Sequence, residues 1–224
     1  MTLSNKNSLG KKQDWLIASL RKQPLLVVLR PNKNELEDFS TQSDLFKIIN
    51  KLSKYEIKHI EISWLDDPRW LKLVRILLQD FPNISIGAAS ILDLKAIDKI
   101  EELGLGYGIS PIFDETLQKH AQVKRKILIP GVLTPTEINK AKNHGCNIVK
   151  LFPASHAGIK YLSQIRKPLN PLPFIIAAGG LRARDINPWL KAGHNAIAIG
   201  RELICKGEVD PELLTWLNQI RHNT

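Results

Sequence analysis

Short apolar runs recur along the chain and alternate with amphipathic stretches. Most of these runs are rich in Val and Ile and are bounded by polar residues, glycine or proline. Such runs are typical of parallel strands that are buried on both faces of a sheet. The pattern predicts eight strands: Leu25–Leu29, His59–Ser63, Ile84–Ala88, Tyr107–Ser110, Ile127–Pro130, Ile148–Phe152, Phe174–Ala178 and Ala196–Ile199.

Between the strands, apolar residues repeat at helical spacing, and several of these stretches open with a capping residue or an early proline. The connection around His156–Arg166 has the least regular pattern. A further helix, over residues 13–23, is expected to lie across the bottom of the fold. The other predicted helices are Leu36–Leu52, Trp70–Leu78, Ile91–Leu103, one that opens at Thr134-Pro135-Thr136-Glu137, Ile186–Lys191 and Glu212–Ile220.

The spacing of the strands decides between two α/β architectures. Neighbouring strands are separated by about the length of one βα unit, and eight such units predict a single (β/α)₈ TIM barrel. A doubly wound open sheet is the main alternative, and it usually has a glycine-rich loop after the first strand. Here that position reads Leu29-Arg30-Pro31-Asn32 and contains no glycine. We therefore expect a polar tail at 1–12 and one barrel domain at 13–224.

Composition and charge narrow the class of protein further. The chain has 224 residues, 43% of them hydrophobic, and a formal net charge of +10. This charge fits either a nucleic-acid binder or an enzyme for anionic metabolites, and the absence of a basic run interleaved with aromatics favours the enzyme. The two distant cysteines, Cys146 and Cys205, and the lack of a leader or a long apolar run predict a cytoplasmic protein with no membrane and no nucleic-acid partner.

Two strands contain a charged residue among apolar neighbours. Lys150 lies within Ile148-Val149-Lys150-Leu151-Phe152, and Glu61 is the only acid in its strand. A buried lysine with a lowered pKa is a nucleophile for ketones, and a carboxylate can transfer protons to and from carbon. A structural Lys150–Glu61 ion pair inside the barrel has the same geometry, so both interpretations remain open at this point.

Glycines follow the last two strands of the predicted barrel. Gly179 and Gly180 end the seventh strand, and Gly200 with Arg201 ends the eighth. Loops after these strands often form the phosphate site of a barrel, because glycine lets backbone N–H groups approach the ligand and arginine adds a bidentate contact. The sequence therefore predicts an anion site here.

The order of several motifs resembles the 2-keto-3-deoxy-6-phosphogluconate aldolase and 4-hydroxy-2-oxoglutarate aldolase family, from about Pro24 onward. Val149-Lys150-Leu151-Phe152-Pro153-Ala154 is similar to the lysine motif of that family. Ile129-Pro130-Gly131-Val132, Ile109-Ser110-Pro111, Ile60-Glu61-Ile62-Ser63 and Gly87-Ala88-Ala89-Ser90 are similar to other family segments.

This resemblance implies a class I aldolase that acts on a small anionic 2-keto acid. Lys150 would form the imine, and Glu61 would transfer protons through a water molecule. Phe152 would pack beside the imine, Pro111 would shape the pocket and Ser90 would supply a hydroxyl. The resemblance also implies no metal, no cofactor and a homotrimer.

Departures from the family pattern cluster at the binding residues. The arginine expected four residues after the glutamate is Leu65, so Arg30 is the candidate for the pyruvate carboxylate. Ser155 replaces a glutamate, Ala178 a threonine, and the Arg201-Glu202 segment a serine. A substrate other than the phosphogluconate, an epimerase-like barrel and a non-catalytic binder of anionic metabolites therefore remain alternatives.

Overall fold

Parallel strands form the centre of the molecule, and helices surround them. The computed structural model describes residues 3–37, 43–205 and 208–222. Its strands are β1 (Leu25–Leu29), β2 (His59–Ser63), β3 (Ser85–Ala89), β4 (Tyr107–Ile109), β5 (Ile127–Ile129), β6 (Gly131–Val132), β7 (Ile148–Leu151), β8 (Phe174–Ala178), β9 (Ala196–Ile199), β10 (Ile204–Cys205) and β11 (Glu208–Val209).

The first nine strands form one sheet, in the order β5-β4-β3-β2-β1-β9-β8-β7-β6. The two ends of this order, β5 and β6, are separated in the chain only by Pro130, which has no N–H to continue the ladder. The sheet therefore closes there into a barrel, and β5 and β6 together occupy the place of one predicted strand. This confirms the predicted (β/α)₈ barrel.

The helices lie before, between and after the barrel strands along the chain. They are α1 (Leu3–Lys22), α2 (Asp44–Lys54), α3 (Pro68–Asp80), α4 (Leu94–Glu102), α5 (Glu115–Val123), α6 (Pro135–Asn143), α7 (Ala154–Ala157), α8 (Tyr161–Leu169), α9 (Ile186–Lys191) and α10 (Pro211–His222). Short 3-10 turns cover Asn34–Leu36, Ala183–Asp185 and Arg201–Leu203. None of the described helices is both long and apolar enough to cross a membrane.

Most helix starts follow the predicted capping chemistry. The Asp67 side chain caps α3 by accepting from the backbone N–H of Arg69, and Thr134 forms a capping box with Glu137 at α6. Helix α4 begins three residues later than predicted, because Asp93 caps it by accepting a hydrogen bond from the backbone N–H of Ala96. The predicted helix Leu36–Leu52 is observed as a 3-10 turn and α2, and residues 38–42 lie outside the described residues.

Two buried clusters divide the core. The outer cluster lies between the strands and the helices and includes Ile60 and Ile62. The inner cluster fills the barrel and includes Ile148 and Ile176. Since side chains alternate along a strand, Glu61 and Lys150 belong to the inner face.

Helix α1 closes the amino end of the barrel, as predicted. Its Leu16 and Leu20 are buried in the inner cluster. The helix begins at Leu3 rather than near residue 13, so it also includes most of the segment expected to be a polar tail.

Candidate active site

Glu61 projects from β2 into the barrel interior. Its side chain is 0% exposed, and neither carboxylate oxygen has a hydrogen-bond partner among the described residues. Burial raises the pKa of Glu61 to about 7, although the positive charges of Lys150 and Arg30 act to lower it. A carboxyl group with this pKa both gives up and accepts a proton near neutral pH.

Lys150 projects from β7 into the same interior. Strand β7 pairs with β6 on one side, where Gly131 faces Lys150, and with β8 on the other. Burial lowers the pKa of Lys150, the charge of Glu61 raises it and the charge of Arg30 lowers it. The amine is therefore easier to deprotonate than an exposed lysine, as a nucleophile requires.

Within the described residues, Lys150 and Glu61 do not form an ion pair. The ammonium nitrogen of Lys150 lies instead 4.8 Å from the centre of the Phe152 ring. Phe152 is 36% exposed and packs over Gly179, where a Cβ atom would lie 2.9 Å from its Cε2 atom. Gly179 therefore admits the aromatic ring beside the lysine, and its φ of +96° is a further reason for glycine there.

Arg30 follows β1 and lies at the carboxyl end of the barrel. A Cβ atom at Gly200 would lie 2.7 Å from the Nη1 atom of Arg30, so this glycine makes room for the guanidinium group. The charge of Arg30 acts on both Glu61 and Lys150. Arg30 and Gly200 therefore belong to the same site as Glu61 and Lys150.

The residues of the predicted anion site lie in the loops after β8 and β9. Gly180 has a φ of +75°, and a Cβ atom there would lie 2.3 Å from the Oγ atom of Ser155. Arg201 is exposed in the 3-10 turn after β9. The neighbouring Glu202 accepts a 2.8 Å hydrogen bond from Nε of Arg182, so the charge of this carboxylate is paired with a cation.

Pro111 and Ser90 follow β4 and β3. A Cβ atom at Gly131 would lie 2.1 Å from the carbonyl oxygen of Pro111, so the Pro111 segment packs directly on the strand beside Lys150. The Ser90 hydroxyl lies 3.1 Å from that of Ser63 on β2. Ser90 also has a φ of 63°, an uncommon backbone conformation for a residue with a side chain.

Five residues near this site were not among the candidates from the sequence: His59, Ser63, Tyr107, Gly131 and Arg182. His59 and Ser63 share the inward face of β2 with Glu61, so strand alternation was the signal that would have found them. Tyr107 is fully buried, and its hydroxyl has no partner among the described residues. No group of three or more potential metal ligands is present in the described part of the chain.

Comparison with known proteins is consistent with this site. The family model for KDPG and KHG aldolase matches residues 17–217. The 2-dehydro-3-deoxy-phosphogluconate aldolase of Zymomonas mobilis is 30% identical over 157 residues, which is 68% of this chain and 73% of that protein. The KHG/KDPG aldolase of Escherichia coli is also 30% identical, over 57% of this chain and 59% of the relative's own length.

Solved structures give the same fold. The KDPG aldolase of Legionella pneumophila, solved with pyruvate captured as a covalent carbinolamine intermediate, has a TM-score of 0.71 and 21% sequence identity. The match covers 91% of this chain and 95% of that one. Together with the family model, which spans most of the sequence, these findings establish that the chain belongs to the KDPG and KHG aldolase family.

Proposed function

We propose that this protein is a class I aldolase in which Lys150 forms the imine and Glu61 transfers protons. The observation that carries the proposal is the state of Glu61, a fully buried carboxyl group with no direct partner in the described part of the chain and a pKa raised to about 7. Burying such a group lowers the stability of the fold, and carboxyl groups with strongly shifted pKa values cluster at functional sites. Its only nearby amine on the barrel strands of the described chain is Lys150.

The proposed reaction begins with attack of the neutral Lys150 amine on the C2 ketone of a 2-keto acid. The carbinolamine loses water to give an imine, which accepts electrons from the breaking bond. Glu61 takes the proton of the C4 hydroxyl, the C3–C4 bond breaks and an aldehyde leaves. The same carboxyl then returns the proton to C3 of the enamine, and hydrolysis releases pyruvate.

Arg30 and Phe152 are proposed to position the ketone. The guanidinium of Arg30 is at the mouth of the barrel and can bind the substrate carboxylate through two parallel hydrogen bonds. The Phe152 ring covers Lys150 from the side of Gly179 and limits the angle at which a substrate reaches the amine. Pro111 and Ser90 complete the rim from neighbouring strands.

The proposed substrate is a 2-keto-3-deoxy-6-phospho sugar acid or 4-hydroxy-2-oxoglutarate. Cleavage would give pyruvate with glyceraldehyde 3-phosphate or with glyoxylate. The names of the relatives support these classes. The Glu202 carboxylate is paired with Arg182, which weakens the repulsion that it would exert on a phosphate near Gly179, Gly180 and Arg201. By the same family resemblance, we propose a homotrimer, which light scattering on the purified protein would test.

Borohydride trapping tests the imine. Incubation with pyruvate and sodium borohydride should add one pyruvate-derived mass to the peptide that contains Lys150. Lys150→Ala should lose both this adduct and the cleavage activity while keeping its circular dichroism spectrum. Lys126→Ala is the matched control, because burial also lowers the pKa of Lys126 but this lysine lies at the amino end of the barrel.

Two results would contradict the proposal. An adduct on another lysine would place the active site elsewhere in the molecule. A folded wild-type protein that forms no adduct with pyruvate or with a 2-keto-3-deoxy sugar acid would leave only a barrel that binds anionic metabolites.

A further inference from the structure

Three buried side chains in the barrel interior have polar atoms without partners among the described residues. These atoms are both carboxylate oxygens of Glu61, the hydroxyl oxygen of Tyr107 and Nδ1 of His59. A buried polar atom without a partner destabilises the folded state, and such atoms are usually satisfied by ordered internal water. Four such atoms on three side chains in one barrel interior indicate a shared hydrogen-bonded network.

Gly87 brings Tyr107 toward Glu61. On β3, Gly87 is the register partner of Glu61, and Tyr107 lies on the next strand, β4. A Cβ atom at Gly87 would lie 2.4 Å from Cε2 of Tyr107, so the ring passes over the backbone of β3 where the side chain is missing. The negative charge of Glu61 is close enough to act on the phenol.

His59 connects the tyrosine to the amino end of the barrel. Its ring centre lies 6.0 Å from that of Tyr107, and its Nε2 atom lies 2.8 Å from the hydroxyl of Ser19 on α1. Burial lowers the pKa of His59 to about 4, so the ring is neutral near pH 7. A neutral imidazole has one donor and one acceptor nitrogen.

The donors and acceptors can be ordered in one direction. The Ser19 hydroxyl donates to Nε2 of His59, Nδ1–H of His59 donates toward the Tyr107 oxygen, and the Tyr107 hydroxyl donates toward Glu61. Burial and the Glu61 charge raise the pKa of Tyr107 well above its usual value, so the phenol stays protonated and remains a donor. This arrangement uses Nδ1 of His59, the Tyr107 hydroxyl and one of the two carboxylate oxygens of Glu61.

We propose that Tyr107 is a positioning residue for Glu61, held by His59 and Ser19 and joined to the carboxylate through internal water. The carboxylate is thereby supported from the side of the barrel opposite to the substrate. This inference rests on the proposed function, since it assigns the network to the proton-transferring residue. The other groups that face Glu61 are the charges of Lys150 and Arg30, on the substrate side.

Tyr107→Phe removes only the hydroxyl and tests the proposal directly. Hydrogen bonds to a carboxylate favour its ionised form, so we expect the pKa of Glu61 to rise by about one unit in this variant. ¹³C NMR of protein labelled at glutamate carboxyl carbons measures the titration, with Glu61→Gln to assign the signal. Tyr55→Phe is the matched control, because Tyr55 lies outside the barrel at the end of α2.

Catalysis gives a second readout. Exchange of the methyl protons of pyruvate in deuterium oxide should show the same upward shift of its lower pH limit in Tyr107→Phe, while borohydride trapping on Lys150 stays at the wild-type level. Ser19→Ala should shift the Glu61 titration in the same direction by a smaller amount, and it remains available if Tyr107→Phe folds poorly.

The outcomes separate the two proposals. An unchanged Glu61 titration in both Tyr107→Phe and Ser19→Ala would overturn the network, even where the imine forms normally. A higher melting temperature for Tyr107→Phe would also overturn it, because it would show that the hydroxyl is simply buried without a partner. Loss of the imine in the wild-type protein would refute the aldolase proposal and leave the NMR titration as a valid test of the network.

Discussion

Replacing Glu61 with glutamine should stabilise the protein, and the gain should depend on pH. Burial raises the pKa of Glu61 from its usual 4.5 to about 7. Between these two pH values the folded state keeps a proton that the unfolded state has released. Stability therefore falls as the pH rises through this window, and above pH 7 the whole penalty is present.

The size of the effect follows from the shift. A difference of about 2.5 pKa units corresponds to about 3 kcal/mol of unfolding free energy. Glutamine cannot ionise, so the stability of Glu61→Gln relative to the wild type should increase by about 3 kcal/mol between pH 4.5 and pH 8. For a chain of this size, that corresponds to a relative increase in Tm of about 6–12 °C.

Thermal unfolding of both proteins at half-unit steps of pH measures the difference. Glu208→Gln, at an exposed glutamate on β11, is the matched control and should follow the wild-type curve. Removing the Glu61 charge also lowers the pKa of Lys150 further. This makes the stability difference between Glu61→Gln and the wild type rise more steeply with pH and does not change its sign. Parallel curves for Glu61→Gln and the wild type between pH 4.5 and pH 8 would refute the assignment of a raised pKa to this carboxyl group.

Three further variants test other parts of the site. Arg30→Ala should weaken pyruvate binding by roughly tenfold or more, because it removes a charge-assisted bidentate contact; unchanged binding in calorimetry would make Arg30 an ordinary exposed arginine. Arg201→Ala should raise KM for a phosphorylated substrate more than for its unphosphorylated analogue, and equal effects would refute the phosphate assignment. Gly131→Ala should lower stability by several kcal/mol in urea unfolding, because its Cβ atom would lie 2.1 Å from the Pro111 carbonyl oxygen, and an unchanged midpoint would contradict that close packing.

Most of the fold could be predicted because its strands are short apolar runs with clear ends. Four strands, β1, β2, β8 and β9, have the predicted bounds. Helix α5 was not predicted as a separate element, since only Leu117, Gln118 and Ala121 are buried along it and the apolar signal is weak. The pairing of β10 with β11 was missed because each has two residues, too few for a periodic pattern.

The sequence predicted the site residues that are charged and lie among apolar neighbours in a strand. A lysine and a glutamate inside apolar strands are conspicuous, and both face the barrel interior in the structure. A tyrosine or a histidine in a strand does not conflict with its apolar neighbours as a lysine or a glutamate does. The sequence therefore did not indicate a role for Tyr107 or His59. The sequence also did not predict the ion pair of Arg182 with Glu202. These residues lie in two different loops, and their contact depends on the pairing of β8 with β9.

The proposed chemistry depends on the absence of an ion pair between Lys150 and Glu61. A direct ion pair would offset part of the cost of burying both charges, but it would also hold the amine protonated and the carboxylate ionised. In the structure the lysine lies against the ring of Phe152, and Gly179 leaves the space for that ring. The carboxyl group has no direct partner among the described residues and keeps a pKa of about 7. The barrel thus gives up stability at Glu61 and leaves the two groups without a mutual ion pair, as the proposed imine formation and proton transfer require.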